Sequence, residues 1–117
     1  MIKAYFVMRK DLGMSPAKLA VQVGHGTDFI HKDKDENSFF EDWKNKENDR
    51  RKIVLEVKSE AKLRDLADLL RHKGIPFCKI YDSGHTEFNE KTLTGLIIYP
   101  IDENNLPDKI KRMRLYL

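Results

Sequence analysis

The chain has 117 residues, of which 40% are hydrophobic and 35% are charged, and its net charge of +3 is typical of one globular domain over residues 1–117. No apolar run approaches the roughly 18 residues of a membrane span, the N-terminus lacks a signal-peptide pattern, and the lone cysteine, Cys78, excludes an internal disulfide. We therefore expect a cytoplasmic protein without membrane contact, whose slight positive charge permits an anionic partner such as RNA without requiring one.

The first part of the chain predicts a strand, a long helix and a short helix. Residues 2–9 (IKAYFVMR) are apolar and aromatic-rich, as in a largely buried strand. Ser15 is a natural N-cap and Pro16 a natural first helical residue, so the first helix is expected over 16–31. Aromatic residues at helical spacing predict a second, short helix over 39–43 whose aromatic face covers the edge of the core.

The middle of the chain predicts a strand–helix–strand unit. Residues 52–58 (KIVLEVK) and 75–81 (IPFCKIY) have the composition of strands, and 60–73 is an amphipathic helix with leucines on one side. A helix of this length between two strands implies that the strands run parallel, with a right-handed connection.

The last part of the chain predicts one more strand and one more helix. Residues 93–99 (LTGLIIY) form the strand, Pro100 is expected to stop it, and the final helix is expected over 103–112. The predicted fold is therefore a single α/β domain, with about four strands of mixed direction sandwiched by helices.

A narrow polar stripe marks the first helix. Lys18, Gln22 and His25 are spaced i, i+4 and i+7, so they fall within an arc of about 60° among small residues. Spacing alone favours an edge facing solvent over the wall of a cleft. Asp82 directly follows the strand over 75–81, and if the first strand runs parallel to that strand, Asp82 and Lys18 meet at one sheet edge.

Six segments match, in order and at the right spacing, the pattern of one known family. The first runs from Val7 to His25 (VMRKDLGMSPAKLAVQVGH), and Trp43 then precedes KIVLEV. The loop DSGHTE begins at Asp82, EKTLT opens the last strand, and DKI with RLYL lies at the C-terminal end. Over nearly its whole length the chain resembles the type-2 peptidyl-tRNA hydrolases of archaea and eukaryotes.

The resemblance implies hydrolysis of the ester bond between the peptide and tRNA in peptidyl-tRNA, or in N-blocked aminoacyl-tRNA, which recycles tRNA. It also implies a three-layer α/β/α fold with a four-stranded mixed sheet that is often dimeric, so a homodimer is a candidate assembly. No cofactor and no metal are expected. By position, the resemblance places the active-site group on Lys18, Gln22, His25, Asp82, Thr86 and Thr94.

Ester hydrolysis needs an oriented water, a base and stabilisation of the oxyanion. We expect Asp82 to orient or deprotonate the water, and Lys18 to stabilise the oxyanion or a nearby phosphate. His25 is either an orienting residue or the base itself. Thr94 and Thr86 are expected to donate hydroxyl hydrogen bonds. The expected catalytic residues are Lys18, Asp82, Thr94 and His25, and the expected substrate-binding residues are Gln22, Thr86, His85 and Gly84.

Binding of tRNA should be mainly electrostatic. Candidate contacts are the basic side chains Arg9, Lys10, Lys32, Lys34, Lys109, Lys111, Arg112 and Arg114, for each of which a role in solubility alone is an equal alternative. Pro16 stands where the family often has a second lysine, and His85 stands where it usually has arginine or lysine. These departures leave open a catalytically weak or inactive domain that binds RNA or a nucleotide. A protein-interaction module is a further alternative.

Overall fold

The computed structural model describes residues 1–85 and 87–117. Its four strands are β1 (Ile2–Arg9), β2 (Lys52–Val57), β3 (Phe77–Asp82) and β4 (Thr92–Asp102). They form one sheet in the order β2-β1-β4-β3. β1 pairs in parallel with β2, and β4 is antiparallel to both β1 and β3. The predicted four-stranded mixed sheet is therefore confirmed.

Four helices cover the sheet: α1 (Pro16–Lys32), α2 (Phe40–Lys44), α3 (Glu60–His72) and α4 (Asp108–Lys111). Short 3-10 turns follow α1 and β4. One face of the sheet packs against α1 and α2, and the other against α3 and α4. This confirms the α/β/α layers.

Alternating side chains along the strands build the two cores. Phe6 and Met8 of β1 join Ile30 and Trp43 on the α1 side, whereas Val7 joins the cluster formed with the leucines of α3. The short aromatic helix was predicted correctly, since Phe40 and Trp43 of α2 are buried. Such alternation is the period-2 pattern of a strand that is buried on both faces.

The strand–helix–strand unit has the predicted direction. β2 and β3 run the same way with α3 between them in the chain, but β1 and β4 lie between them in the sheet. β1 also shares this direction, because β1 and β3 are both antiparallel to β4. The carboxyl ends of β1, β2 and β3 therefore lie along one edge of the sheet.

Two predictions about the C-terminal part were wrong. Pro100 does not stop β4, which continues to Asp102. On one side of β4, a register shift between Lys3 and Tyr5 interrupts the pairing with β1. On the other side of β4, β3 begins only at Phe77, opposite Ile98. No ladder hydrogen bond therefore requires the missing N–H of this proline.

The helix predicted over 103–112 is divided into a 3-10 turn, Glu103–Asn105, and α4. Pro107 separates the two pieces. The residue before it, Leu106, is extended with ψ of 135°, because a following proline disfavours the helical region.

Candidate active site

Four of the predicted site residues meet at the edge of the sheet where β3 ends. Lys18 and Gln22 lie one turn apart on α1, Asp82 is the last residue of β3, and Thr94 lies near the start of β4. These four residues are called the buried cluster, since none of them is more than 6% exposed. The predicted meeting of Lys18 and Asp82 at one sheet edge is confirmed.

An ion pair lies at the centre of the buried cluster. The Lys18 ammonium Nζ donates a hydrogen bond to Asp82 Oδ1. Gln22 Nε2 donates to the same oxygen at 3.3 Å, and the Gly84 N–H donates to Oδ2 at 2.8 Å. The carboxylate is therefore held through both of its oxygens, as a buried charge requires.

Gln22 connects Thr94 to this carboxylate. Thr94 Oγ1 donates to Gln22 Oε1 at 2.8 Å, and it also lies 3.1 Å from the carbonyl oxygen of Ile80. Both side chains are completely buried. Gln22 contacts Asp82 directly, and Thr94 contacts Gln22 and the backbone of Ile80. Neither side chain reaches the surface, so this geometry suits both residues to positioning the Asp82 carboxylate.

The surroundings of Asp82 favour its charged form. Burial acts to raise the pKa of Asp82, but the hydrogen bond from Lys18, the Gly84 N–H and the charges of Lys18 and His25 outweigh it. The pKa of Asp82 therefore lies below its ordinary value. A carboxylate with a lowered pKa is a weak base and a good anchor for a cation.

A loop that follows β3 closes over the ion pair. Gly84 has a φ of +89°, and a Cβ there would lie 2.7 Å from the backbone of Glu90, so the turn requires glycine. The Glu87 carboxylate accepts a hydrogen bond from the Ser15 hydroxyl at the start of α1. The Phe88 ring lies over Lys18, with its centroid 5.8 Å from Nζ.

Three further residues had been predicted for the site: His25, His85 and Thr86. His25 is exposed and is not part of the buried cluster, although its charge acts on Asp82. His85 is exposed on the loop. Thr86, predicted to donate a hydroxyl hydrogen bond, lies outside the described residues.

One predicted tRNA contact has a different role. The Arg9 guanidinium is only 9% exposed and donates to both carboxylate oxygens of Asp11 and, at 3.0 Å, to the carbonyl oxygen of Leu93. Arg9 therefore fixes the start of β4 beside Thr94 and is not available to a phosphate. Its position in the sequence, at the end of an apolar strand, resembled that of a surface cation.

The roles of Glu87 and Phe88 as cover for the ion pair had not been predicted. Their contacts join a loop to a helix start at least 70 positions away in the chain. No local pattern encodes such a contact.

Within residues 1–85 and 87–117 there is no group of three or more His, Cys, Asp and Glu side chains that could hold a metal ion. None of the described helices has both the length and the apolar character needed to cross a membrane.

The class that this fold and buried cluster define is that of the peptidyl-tRNA hydrolases. The family described as peptidyl-tRNA hydrolase PTH2 matches residues 2–116. A peptidyl-tRNA hydrolase of Haloquadratum walsbyi is 36% identical over 115 residues, which are 98% of this chain and 100% of the relative. Those of Methanocaldococcus jannaschii and Thermococcus onnurineus are 32% and 36% identical, over 93% and 92% of this chain and 94% and 91% of theirs. The chain belongs to the peptidyl-tRNA hydrolase PTH2 family.

Proposed function

We propose that the buried cluster is the centre at which this chain hydrolyses the ester bond between peptide and tRNA. Family membership supports the reaction, and it does not favour the alternative of an inactive RNA-binding or nucleotide-binding domain. The observation that supports the centre is the ion pair between Lys18 and Asp82, buried at the edge where β3 ends. Perturbed, paired charges of this kind concentrate at functional sites.

Lys18 supplies the electrostatic part of the mechanism. When water adds to the ester carbonyl carbon, negative charge develops on the carbonyl oxygen, and a fixed ammonium stabilises it. Asp82 keeps this ammonium in place, and Gln22 with Thr94 keeps Asp82 in place. Collapse of the intermediate breaks the bond to the ribose oxygen, so that the tRNA leaves with a hydroxyl group and the peptide with a carboxyl group.

The proton of the attacking water needs an acceptor. Asp82 is a poor acceptor, because its pKa is lowered and both of its oxygens already accept hydrogen bonds. We assign this proton to His25, which is exposed and whose charge acts on Asp82. His25 then returns the proton to the departing ribose oxygen.

Phe88 covers the Lys18 ammonium on the side of the loop after β3. The Phe88 ring lies over Lys18, and the Glu87 carboxylate is hydrogen-bonded at the N-cap residue of α1. The ester must therefore displace the Phe88 ring in order to contact Nζ. Gly84 and His85 belong to this loop, and we propose both residues as substrate contacts.

Deacylation of an N-acetylaminoacyl-tRNA tests the proposed centre. We expect Asp82→Asn and Lys18→Met to lower kcat by roughly 100-fold to 1,000-fold, the usual effect of removing a preorganised electrostatic group. Lys46→Ala, which removes an exposed lysine outside the cluster, is the matched control and should keep its rate. If both cluster variants were folded by circular dichroism and retained wild-type rates, the centre would lie elsewhere.

The same assay tests His25. We expect His25→Gln to lower kcat by about 100-fold while leaving KM unchanged, because the residue moves a proton and does not bind the tRNA. A wild-type kcat in this variant would assign the base to another group.

Residues 1–117 are proposed to act as one cytoplasmic domain with tRNA as its partner. The homodimer belongs to the same proposal, and its test is the molar mass in solution by light scattering.

A further inference from the structure

A groove lies on the face of the sheet opposite to α1, where β2 ends between α3 and the α4 segment. Its volume is about 370 Å³, and Val57, Leu66 and Met113 contribute to its apolar lining. Five cationic side chains from three parts of the chain also line it: Lys58, Lys62, Lys109, Arg112 and Arg114. We call this surface the basic groove.

The positive charge of the protein is concentrated in the basic groove. Against the five cations stand two carboxylates, Glu56 and Asp65, so the lining carries +3, the net charge of the whole chain. All five cations are exposed, and in the described part of the chain none of them forms an ion pair. The neighbouring Lys111, in contrast, is paired with Asp108 at 4.0 Å.

Unpaired cations of one sign in a concave surface repel each other, so an anionic partner would relieve this repulsion. A polymer with regularly spaced phosphates offers one anion for each of several cations, and its binding releases counterions. Lysine and arginine side chains are among the groups that make most protein contacts with backbone phosphates.

The basic groove lies at the same sheet edge as the buried cluster. β2 ends beside β1 at this edge, and Asp82 ends β3 three strand positions away. The two sites are three strand positions apart along this edge, with the buried cluster on the α1 side of the sheet and the basic groove on the α3 side. A tRNA strand that passes round this edge can contact both sites.

We propose that the basic groove holds backbone phosphates of the tRNA substrate. The inference rests on the proposed function, and it adds Lys58 and Lys62 to the tRNA-binding residues. It divides the C-terminal basic side chains, because Lys109, Arg112 and Arg114 line the groove whereas Lys111 does not.

The test compares two substrates and two matched variants. Lys62→Ala/Arg112→Ala removes two groove cations, and Arg51→Ala/Lys73→Ala removes the same charge from exposed positions outside the groove. One substrate is an N-acetylaminoacyl-tRNA, and the other is the same ester on adenosine alone, which lacks the phosphates in question. Binding of deacylated tRNA is measured in parallel by fluorescence anisotropy between about 50 and 200 mM salt.

For the groove variant we expect KM and Kd for tRNA to rise roughly tenfold or more, with kcat unchanged. The slope of log K against log salt should fall by about one for each cation removed. Turnover of the adenosine ester should remain at the wild-type level. Equal effects in the groove variant and the control, or a loss of adenosine-ester turnover in the groove variant, would overturn the proposal.

A variant that is expected to bind tRNA more tightly distinguishes a loss of phosphate contacts from a loss of folding. Asp65→Asn removes a carboxylate from the groove and should lower the Kd for tRNA at low salt, whereas Asp28→Asn on α1 should not. If the wild type hydrolysed neither substrate, the proposed function would fail. The anisotropy comparison would still decide whether the groove binds tRNA.

Discussion

The buried cluster and the basic groove lie at the same edge of the sheet but differ in the pairing and exposure of their charges. In the buried cluster, the ammonium of Lys18 and the carboxylate of Asp82 are paired and almost inaccessible to water. In the basic groove, exposed cations outnumber the carboxylates. A paired and buried charge has a fixed position, which suits a reacting bond, whereas unpaired exposed charges attract a flexible anion. We therefore expect the two regions to govern kcat and KM separately.

The largest expected effect on stability comes from removing the partner of a buried charge, in contrast to removing an exposed charge. Lys18→Met leaves the Asp82 carboxylate buried without its cation, and we expect a loss of about 3 to 5 kcal/mol in the free energy of unfolding. The double variant Lys18→Met/Asp82→Asn should recover most of that loss, since neither charge remains. Lys62→Met in the basic groove should change stability by less than about 0.5 kcal/mol.

Urea unfolding of these three variants with the wild type gives the comparison. A loss in Lys18→Met as small as that in Lys62→Met would show that the Asp82 carboxylate is not buried in solution.

A smaller effect is expected from the hydroxyl that supports Gln22. Thr94→Val keeps the volume but removes the donor to Gln22 Oε1, and an unsatisfied buried acceptor costs about 1 to 3 kcal/mol. Because Gln22 also holds Asp82, kcat should fall as well, with KM unchanged. Thr94→Ser, which keeps the hydroxyl group, should restore kcat. If Thr94→Ser were as slow as Thr94→Val, the hydroxyl would not be the group that matters.

Within α1 the same contrast between buried and exposed positions can be tested with glycines. A Cβ at Gly26 would lie 2.7 Å from the Phe6 ring, whereas at Gly24 no atom lies within 4 Å. Gly26→Ala should destabilise the protein by about 1 to 3 kcal/mol through overpacking. Gly24→Ala should stabilise it by up to about 1 kcal/mol through helix propensity. Thermal unfolding of both variants provides the measurement, and shifts in the same direction would contradict the docking of α1.

The smallest expected effect is the pH dependence that Asp82 contributes. The pKa of Asp82 is lowered in the folded state, so its stabilising contribution is complete above the ordinary pKa of an aspartate. It is lost as the pH falls through the lowered value. The difference in unfolding free energy between wild type and Asp82→Asn should therefore stay constant from pH 8 to pH 5 and shrink at lower pH. A difference that declined already between pH 7 and pH 5 would contradict the direction of the shift.

Local patterns predicted most of the elements. Ser15 and Pro16 mark the start of α1, where the Ser15 side chain accepts a hydrogen bond from the Lys18 N–H. The meeting of Lys18 and Asp82 was also predictable, because it depends only on the shared direction of β1 and β3. Pro100 misled the prediction since its effect depends on the neighbouring strands, which local sequence does not specify.

The helical spacing did not show that His25 separates from Lys18 and Gln22. The line of α1 that faces the sheet runs through Lys18, Gln22, Gly26 and Ile30, all of them buried. Positions four apart advance by about 40° around a helix, so this line turns away from His25. The angle at which α1 crosses the sheet decides this, and it is a tertiary property. The basic groove was unpredictable for the same reason, since it joins Lys62 of α3 to residues after α4.

The central position of β4 has a consequence for the order in which the site is made. β4 lies between β1 and β3 and carries Thr94, although it is the last strand in the chain. A nascent chain that has emerged from the ribosome only up to residue 91 already contains Lys18, Gln22 and Asp82. It still lacks β4, the strand that pairs with both β1 and β3. The buried cluster therefore assembles only after β4 has emerged. With the buried cluster as the proposed hydrolytic centre, an unfinished copy of this protein cannot act on the peptidyl-tRNA to which it is itself attached.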